Sequence, residues 1–278
     1  MQNTAYRITA FTAVISAFGF LLRWLQDMRI IDPETGLAAR GMGISYGVAA
    51  VIAAAAVAFF IIALRLRRTD PPVEPELAFA GKSFLHTAVG ILPALGLGLS
   101  GALQLLYATA EHYTDAGELT VHRIAGVLAL AAAVCAAVLV TNAAKPEKAG
   151  ARRIAAGILI LFSGVWLVAA YKSAASDPVI WRFAVEILGI CAAMMAFYHI
   201  AGYHFGQPYP FRAIFYCGLG AFLCAMSVID EHPAGESLCY AAVTGLLLYW
   251  EYTLIATLRR GLMDQAQIEA SPIPGTEN

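Results

Sequence analysis

The sequence predicts an all-α fold, a polytopic bundle of about eight transmembrane helices, on three observations. Of 278 residues, 60% are hydrophobic and 13% charged, against ~25% charged in an average soluble domain, so hydrocarbon must cover much of the surface. The apolar residues gather into eight runs near the ~20 residues a helix needs to cross a bilayer core. Basic residues are dense in every second connection and sparse in the others, the asymmetry that sets orientation in a membrane.

The spans are expected at about 8–26, 43–64, 84–110, 121–141, 154–171, 180–202, 211–229 and 236–258. The first runs into Arg23-Trp24-Leu25-Gln26-Asp27 without an A-x-A-like cleavage site, so it is expected to be retained and not removed as a signal peptide. The second opens with Gly43 and Gly47 in GxxxG spacing, which suits close helix packing. The third contains LPALGLGLSG. Pro93 removes a backbone hydrogen bond there and should kink or open the helix. The fourth and fifth flank a basic connection with Lys145, Lys148, Arg152 and Arg153. The sixth carries Glu186 and ends in AFYHIAGYHFG, an aromatic and histidine-rich run suited to the interface, with Gly202 and Gly206 again in GxxxG spacing. The seventh contains Gly218-Leu219-Gly220, and the eighth carries Glu251 within LLLYWEYTLI. Residues 1–258 thus form one membrane domain, and the polar, Pro-containing tail 259–278 is expected to be disordered.

With the N-terminus cytoplasmic, twelve of the 18 basic residues fall on the cytoplasmic side and the opposite loops are acidic. Both termini are therefore expected in the cytoplasm. A net charge of −1 excludes a nucleic-acid partner that needs a basic excess. The five cysteines form no C-x-x-C or metal-ligand spacing and read as small core residues.

The loops show a repeat. Glu111-His112 with Ala116-Gly117-Glu118 is echoed by Glu231-His232 with Ala234-Gly235-Glu236, and Asp32-Pro33 is echoed by Asp177-Pro178. Together with Gly96-Leu97-Gly98 and Gly218-Leu219-Gly220, these matches suggest a parallel four-plus-four duplication of 1–141 and 154–258. Coincidence among common turn residues is the alternative, and unequal spacing between the landmarks favours it.

Candidate binding residues follow from cost. An ionisable group inside a bilayer costs at least ~2.5–3.5 kcal/mol and normally faces protein or a water-filled cavity. From the ~1.5 Å rise per residue, Arg23, Gln104 and Glu186 are expected in one layer, roughly 7–10 Å outward of their span centres. There Arg23 either neutralises Glu186 or snorkels to the interface while Arg182 pairs with Glu186. Glu251 sits roughly 4–5 Å inward of its span centre, with no basic residue three or four positions away. It reads either as a proton or cation carrier or as a structural hydrogen-bond partner. Gly98 and Gly218 mark either opened backbone at a midplane site between spans three and seven or close packing. His86 and His199 form a conceivable haem pair, with an interfacial role as the alternative for His199. His199 and His204, about 140° apart on a helix, do not jointly hold a metal.

The phrases RWLQDMRIIDPETGL, YKSAASDPVIW and AFYHIAGYHFG together resemble those of a group of uncharacterised polytopic membrane proteins of anaerobic gut bacteria. The resemblance implies a bacterial cytoplasmic membrane and no particular activity. The chain has no H-E-x-x-H, G-x-S-x-G or P-loop, so an enzyme is the weaker expectation. No cofactor and no metal site is expected, and beyond the lipid bilayer the expected partner is a small solute or ion. The leading functional expectation is therefore transport or binding of a small solute or ion, lined by Glu251, Glu186, Gln104, Gly98 and Gly218. A non-transporting membrane partner or sensor subunit, and a b-type haem protein, are the alternatives.

Overall fold

A computed structural model describes residues 2–30, 43–66, 78–79, 83–108, 116–174, 180–230 and 232–270. They form eight α-helices: α1 Gln2–Ile30, α2 Gly43–Leu66, α3 Phe84–Tyr107, α4 Ala116–Thr141, α5 Ala149–Ala174, α6 Ile180–His204, α7 Pro210–Ser227 and α8 Ala234–Ala270. A 3-10 turn, Pro146–Lys148, leads into α5. All eight are long and apolar enough to cross a membrane, and the described residues contain no strand. The chain is thus an all-α, eight-span bundle. The landmarks Asp32-Pro33, Asp177-Pro178, Glu111-His112 and Glu231 lie outside the described residues, as do 271–278.

Helices α3 to α8 each pack on the next, and α8 returns to α3, so six helices close a ring. Helices α1 and α2 lie outside it against α7, and α1 also touches α8. Burial follows this order: 67% of the most apolar window of α7 and of α8 is buried, against 22% in α1 and α2. Aromatic side chains fill the ring. Trp166 of α5 meets Tyr240 of α8 at 4.7 Å between centroids, and Phe197 of α6 meets Trp250 of α8 edge-on at 5.8 Å. Four cysteines are buried and Cys191 is partly buried, all of them free thiols, in keeping with their expected core role.

Three local expectations are corrected. Helix α3 runs unbroken through Pro93, whose ring fills a notch at Gly245 of α8, where an added Cβ would lie 2.9 Å from the Pro93 Cβ. A neighbouring helix thus accommodates the proline without an opened turn. Gly202 and Gly206 are a helix stop rather than a packing seam. Gly206 adopts φ 74°, while Gln207 N–H donates to the Gly202 carbonyl at 2.8 Å and Gly206 N–H to that of Tyr203 at 3.3 Å. That is the left-handed glycine cap that satisfies terminal carbonyls. Gly47 faces open space, with nothing within 4 Å of an added Cβ, so it makes no packing contact.

The two halves do not pack alike. Helices α6 and α7 pack extensively, whereas their counterparts α2 and α3 make no more than a marginal contact among the described residues. The Ala-Gly-Glu triplets do play one role: each opens a helix, α4 or α8, and places Glu118 or Glu236 in its first turn, where a carboxylate complements the helix dipole. Helix α8 continues past the expected span end at 258 to Ala270, so the polar tail begins as helix.

Candidate functional site

Both ends of the bundle carry charge. At the end where α1, α3 and α5 finish and α4, α6 and α8 begin, polar side chains from five helices converge. Arg23, near the C-terminus of α1, is 4% exposed. Its Nε donates to Asp230 Oδ1 at 2.8 Å and its Nη1 to Gln26 Oε1 at 3.0 Å. The expected pairing of Arg23 with Glu186 is therefore replaced by a pairing with Asp230 of the α7–α8 connection. The alternative pairing, through Arg182, involves a side chain outside the described set. Burial pushes the Asp230 carboxyl above the usual carboxylate range, and the Arg23 guanidinium opposes that push.

Next to Asp230 in sequence, His232 stacks on the Tyr240 ring at 5.3 Å and 23° and stands between two carboxylates. Its Nε2 is 3.7 Å from Glu186 Oε2, and its Nδ1 is 3.7 Å from Glu236 Oε2. These are ion-pair separations, longer than hydrogen bonds. The remaining oxygen of each carboxylate is held by a shorter contact. The Tyr240 hydroxyl donates to Glu186 Oε1 at 2.6 Å, and His122 Nδ1 lies 3.0 Å from Glu236 Oε1. On the far side His122 Nε2 meets the Ser173 hydroxyl at 2.8 Å, which donates to Glu118 Oε1 at 2.9 Å. A continuous chain of ionisable and hydroxyl groups thus links α4, α5, α8 and α6.

Gln104 lies at the same end but serves the α3–α8 seam. Its Nε2 donates to Ser100 Oγ at 3.1 Å, and Ser100 donates to the Gly235 carbonyl at 2.7 Å. A Cβ on Gly235 would lie 2.8 Å from the Gln104 backbone nitrogen, which is why α8 begins with a glycine there.

The other candidates lie deeper. Glu251 is 1% exposed. Its Oε1 accepts a hydrogen bond from Thr12 of α1 at 3.1 Å, and its Oε2 is buried without a hydrogen-bond partner. Gly218 adjoins it, for an added Cβ would lie 3.2 Å from Glu251 Oε1 and 2.9 Å from the Phe59 ring of α2. Gly98 is remote from both. It faces Ala133 of α4 at 3.3 Å, next to Gly101, whose added Cβ would meet the Gly126 carbonyl at 2.7 Å. Helix α8 packs on both α3 and α7, which make no more than a marginal contact with each other among the described residues, so Gly98 and Gly218 are not brought together. Gly98 and Gly101 instead bring the α3 backbone close to α4.

The histidine pair is likewise separated. His86 of α3 meets Thr253 of α8 at 3.2 Å, whereas His199 of α6 stacks on Tyr216 of α7 at 5.6 Å and 15°. Helices α3 and α6 make no more than a marginal contact among the described residues, and each imidazole is engaged on a different neighbouring helix. No group of three or more His, Cys, Asp or Glu among the described residues could hold a metal ion. A groove of about 1210 Å³ between α3 and α8 is lined by leucines such as Leu85, Leu92 and Leu95 that are exposed where lipid lies, and it reads as a lipid-filled seam.

Sequence reasoning found Glu186 but passed over Asp230, His232, Glu236 and His122. Three of these lie within DEHPAGES, read only as an acidic outer loop and as one half of a loop repeat. Three carboxylates and an imidazole within seven residues, close to a helix start and opposite a lone span arginine, are the signal that could have found them.

Fold and site together define an all-α, eight-span integral membrane protein with a buried layer of carboxylates and imidazoles near one end. No protein-family model, curated protein or solved structure matches the chain.

Proposed function

We propose that the protein binds, and exchanges across the membrane, a small organic cation of the ammonium type, with the Glu186–His232–Glu236 cluster as its site. The observation that carries this reading is the placement of His232, an imidazole stacked on Tyr240 with a carboxylate at 3.7 Å from each ring nitrogen. An imidazole held between an aromatic ring and two carboxylates marks a place that suits a cation that donates hydrogen bonds, and Trp166 packs on the same Tyr240 ring at 4.7 Å. The His232 imidazole is an internal occupant of this box. A carboxylate oxygen takes either a proton or a hydrogen bond from a solute cation, so proton and solute compete for the same oxygens. Such competition is the elementary requirement for exchange of one for the other.

In this reading the basic end faces the cytoplasm of a bacterial cell, by the positive-inside bias, and the acidic layer faces outward. Glu251, deeper and held by Thr12 on one oxygen only, is the next carboxylate along the bundle and a stepping point for the proton.

Thermal unfolding of the detergent-purified protein, titrated with tetramethylammonium, ethylammonium and sodium at mildly acidic and mildly alkaline pH, tests the reading. Stabilisation by an organic ammonium that strengthens as pH rises, and disappears in Glu186→Gln, is the expected result. Equal response to sodium, or none to any cation at either pH, rejects it.

A further inference from the structure

At the opposite end, where α6 stops and α7 starts, a second cavity of about 390 Å³ lies among α2, α6 and α7, lined by Phe60, Met195, His199, Phe211, Arg212, Phe215 and Tyr216. Its character differs from that of the acidic layer. Phe60 is 45% exposed and packs edge-on against Phe211 and Phe215 at 5.5 and 6.1 Å, so the wall on the α2 side is aromatic and reaches the lipid-facing surface. Two polar groups interrupt that wall. Arg212 is exposed, with its guanidinium carbon 5.2 Å from the Tyr209 ring centroid, and has no carboxylate partner among the described residues. His199 is 97% buried, as its 3% exposure gives, and its Nε2 makes no hydrogen bond.

The first turn of α7 adds to this. Helix α7 opens with Pro210, Phe211 and Arg212, and its N-cap residue Tyr209 makes no side-chain capping bond, so backbone N–H groups and the positive end of the helix dipole stand beside the cavity. A helix start alone does not make a site. Here it coincides with a buried imidazole nitrogen lacking a partner, an uncompensated guanidinium and a half-open pocket. Cation, N–H donors and imidazole all call for an anion, and the aromatic wall calls for an apolar chain attached to it. The depth suits both, since this end of the bundle is where head groups meet hydrocarbon.

From this convergence we infer that the cavity is a binding site for an anionic membrane amphiphile, whose phosphate sits between Arg212 and the start of α7 while its apolar chain runs along Phe60, Phe211 and Phe215. The aromatic platform under Arg212 holds the guanidinium in place, so less side-chain freedom is lost on binding. The site is independent of the acidic layer and of the cation reading.

The test is thermal unfolding of the full chain in a neutral detergent, titrated with phosphatidylglycerol, phosphatidylcholine or inorganic phosphate. Phosphatidylglycerol should stabilise the protein at concentrations where the other two do not. Arg212→Gln, an exposed substitution that leaves the fold intact, should weaken that response about tenfold, the loss expected for a charge-assisted contact to phosphate. His199→Gln should weaken it further, and unfolding of each variant without lipid separates a damaged fold from a lost site. A phosphatidylglycerol response unchanged in Arg212→Gln, or equal stabilisation by phosphatidylcholine, overturns the inference. Saturable binding of inorganic phosphate at the same concentration also overturns it, because the apolar wall would then contribute nothing.

Discussion

Arg23 at the end of α1 donates to Asp230 at 2.8 Å across the connection between α7 and α8, and so ties a helix outside the ring to the loop that carries His232. Removing one partner of a buried ion pair strands the other and costs ~3–5 kcal/mol, while replacing both by apolar groups is often near neutral. Arg23→Met should therefore lower thermal stability strongly, and Arg23→Met with Asp230→Leu should recover most of the loss. Additive losses in the double variant would show that the pair is not coupled.

The same pair gives a signed pH dependence. Burial raises the Asp230 carboxyl and Arg23 opposes the rise. A carboxyl raised in the folded state favours the proton-bound form there, so its ionisation costs stability at pH above its folded value, and the cost is relieved as pH falls. Without Arg23 the opposing attraction is gone and the rise is larger. The deficit of Arg23→Met relative to the parent should thus be greatest at neutral pH and shrink on acidification into and just above the usual carboxylate range. A deficit that grows as pH falls would contradict this account of Asp230.

The α3–α4 seam makes a graded prediction. A Cβ at Gly101 would meet the Gly126 carbonyl at 2.7 Å, while one at Gly98 would meet the Ala133 Cβ at 3.3 Å. Backbone cannot yield as a methyl can, so Gly101→Ala should cost ~1–3 kcal/mol by overpacking, and Gly98→Ala clearly less. Denaturant unfolding of the two variants measures the order, and a reversed order would place the close approach elsewhere.

The eight spans were legible because the length of an apolar run is set by bilayer thickness, and Pro93 or a glycine cannot hide a run of that length. Depth was legible for the same reason: counting residues placed Arg23, Gln104 and Glu186 near one end, which is where they lie. Pairing was not legible. Depth along a helix says nothing of which helix stands beside it, and only the ring closed by α8 brings Asp230 to Arg23 and His232 to Glu186. Glycine was ambiguous for a related reason. The same GxxxG spacing is open space at Gly47 and a left-handed cap at Gly206, and the Gly-Leu-Gly of α3 turns Gly96 to Ala242 of α8 and Gly98 to Ala133 of α4, while Gly218 in α7 makes room for Phe59 and Glu251.

Glu251 and Gly218 yield the last prediction. The Thr12 hydroxyl reaches both the Ile8 carbonyl at 3.2 Å and Glu251 Oε1 at 3.1 Å, so an amide oxygen at position 251 can accept the same bond. Glu251→Gln should fold with stability within ~1 kcal/mol of the parent, the net worth of a typical hydrogen bond. Gly218→Val should be far worse, because its Cβ alone would lie 2.9 Å from the Phe59 ring and 3.2 Å from the carboxylate, displacing α2 or α8 at an overpacking cost of ~1–3 kcal/mol. If Glu251 also passes protons, Glu251→Gln will be stable yet deficient in cation-driven proton movement in proteoliposomes, with cation binding at the outer cluster retained. Full exchange in that variant would leave Glu251 a purely structural hydrogen-bond acceptor, and loss of binding together with exchange would show that the two carboxylate sites act as one.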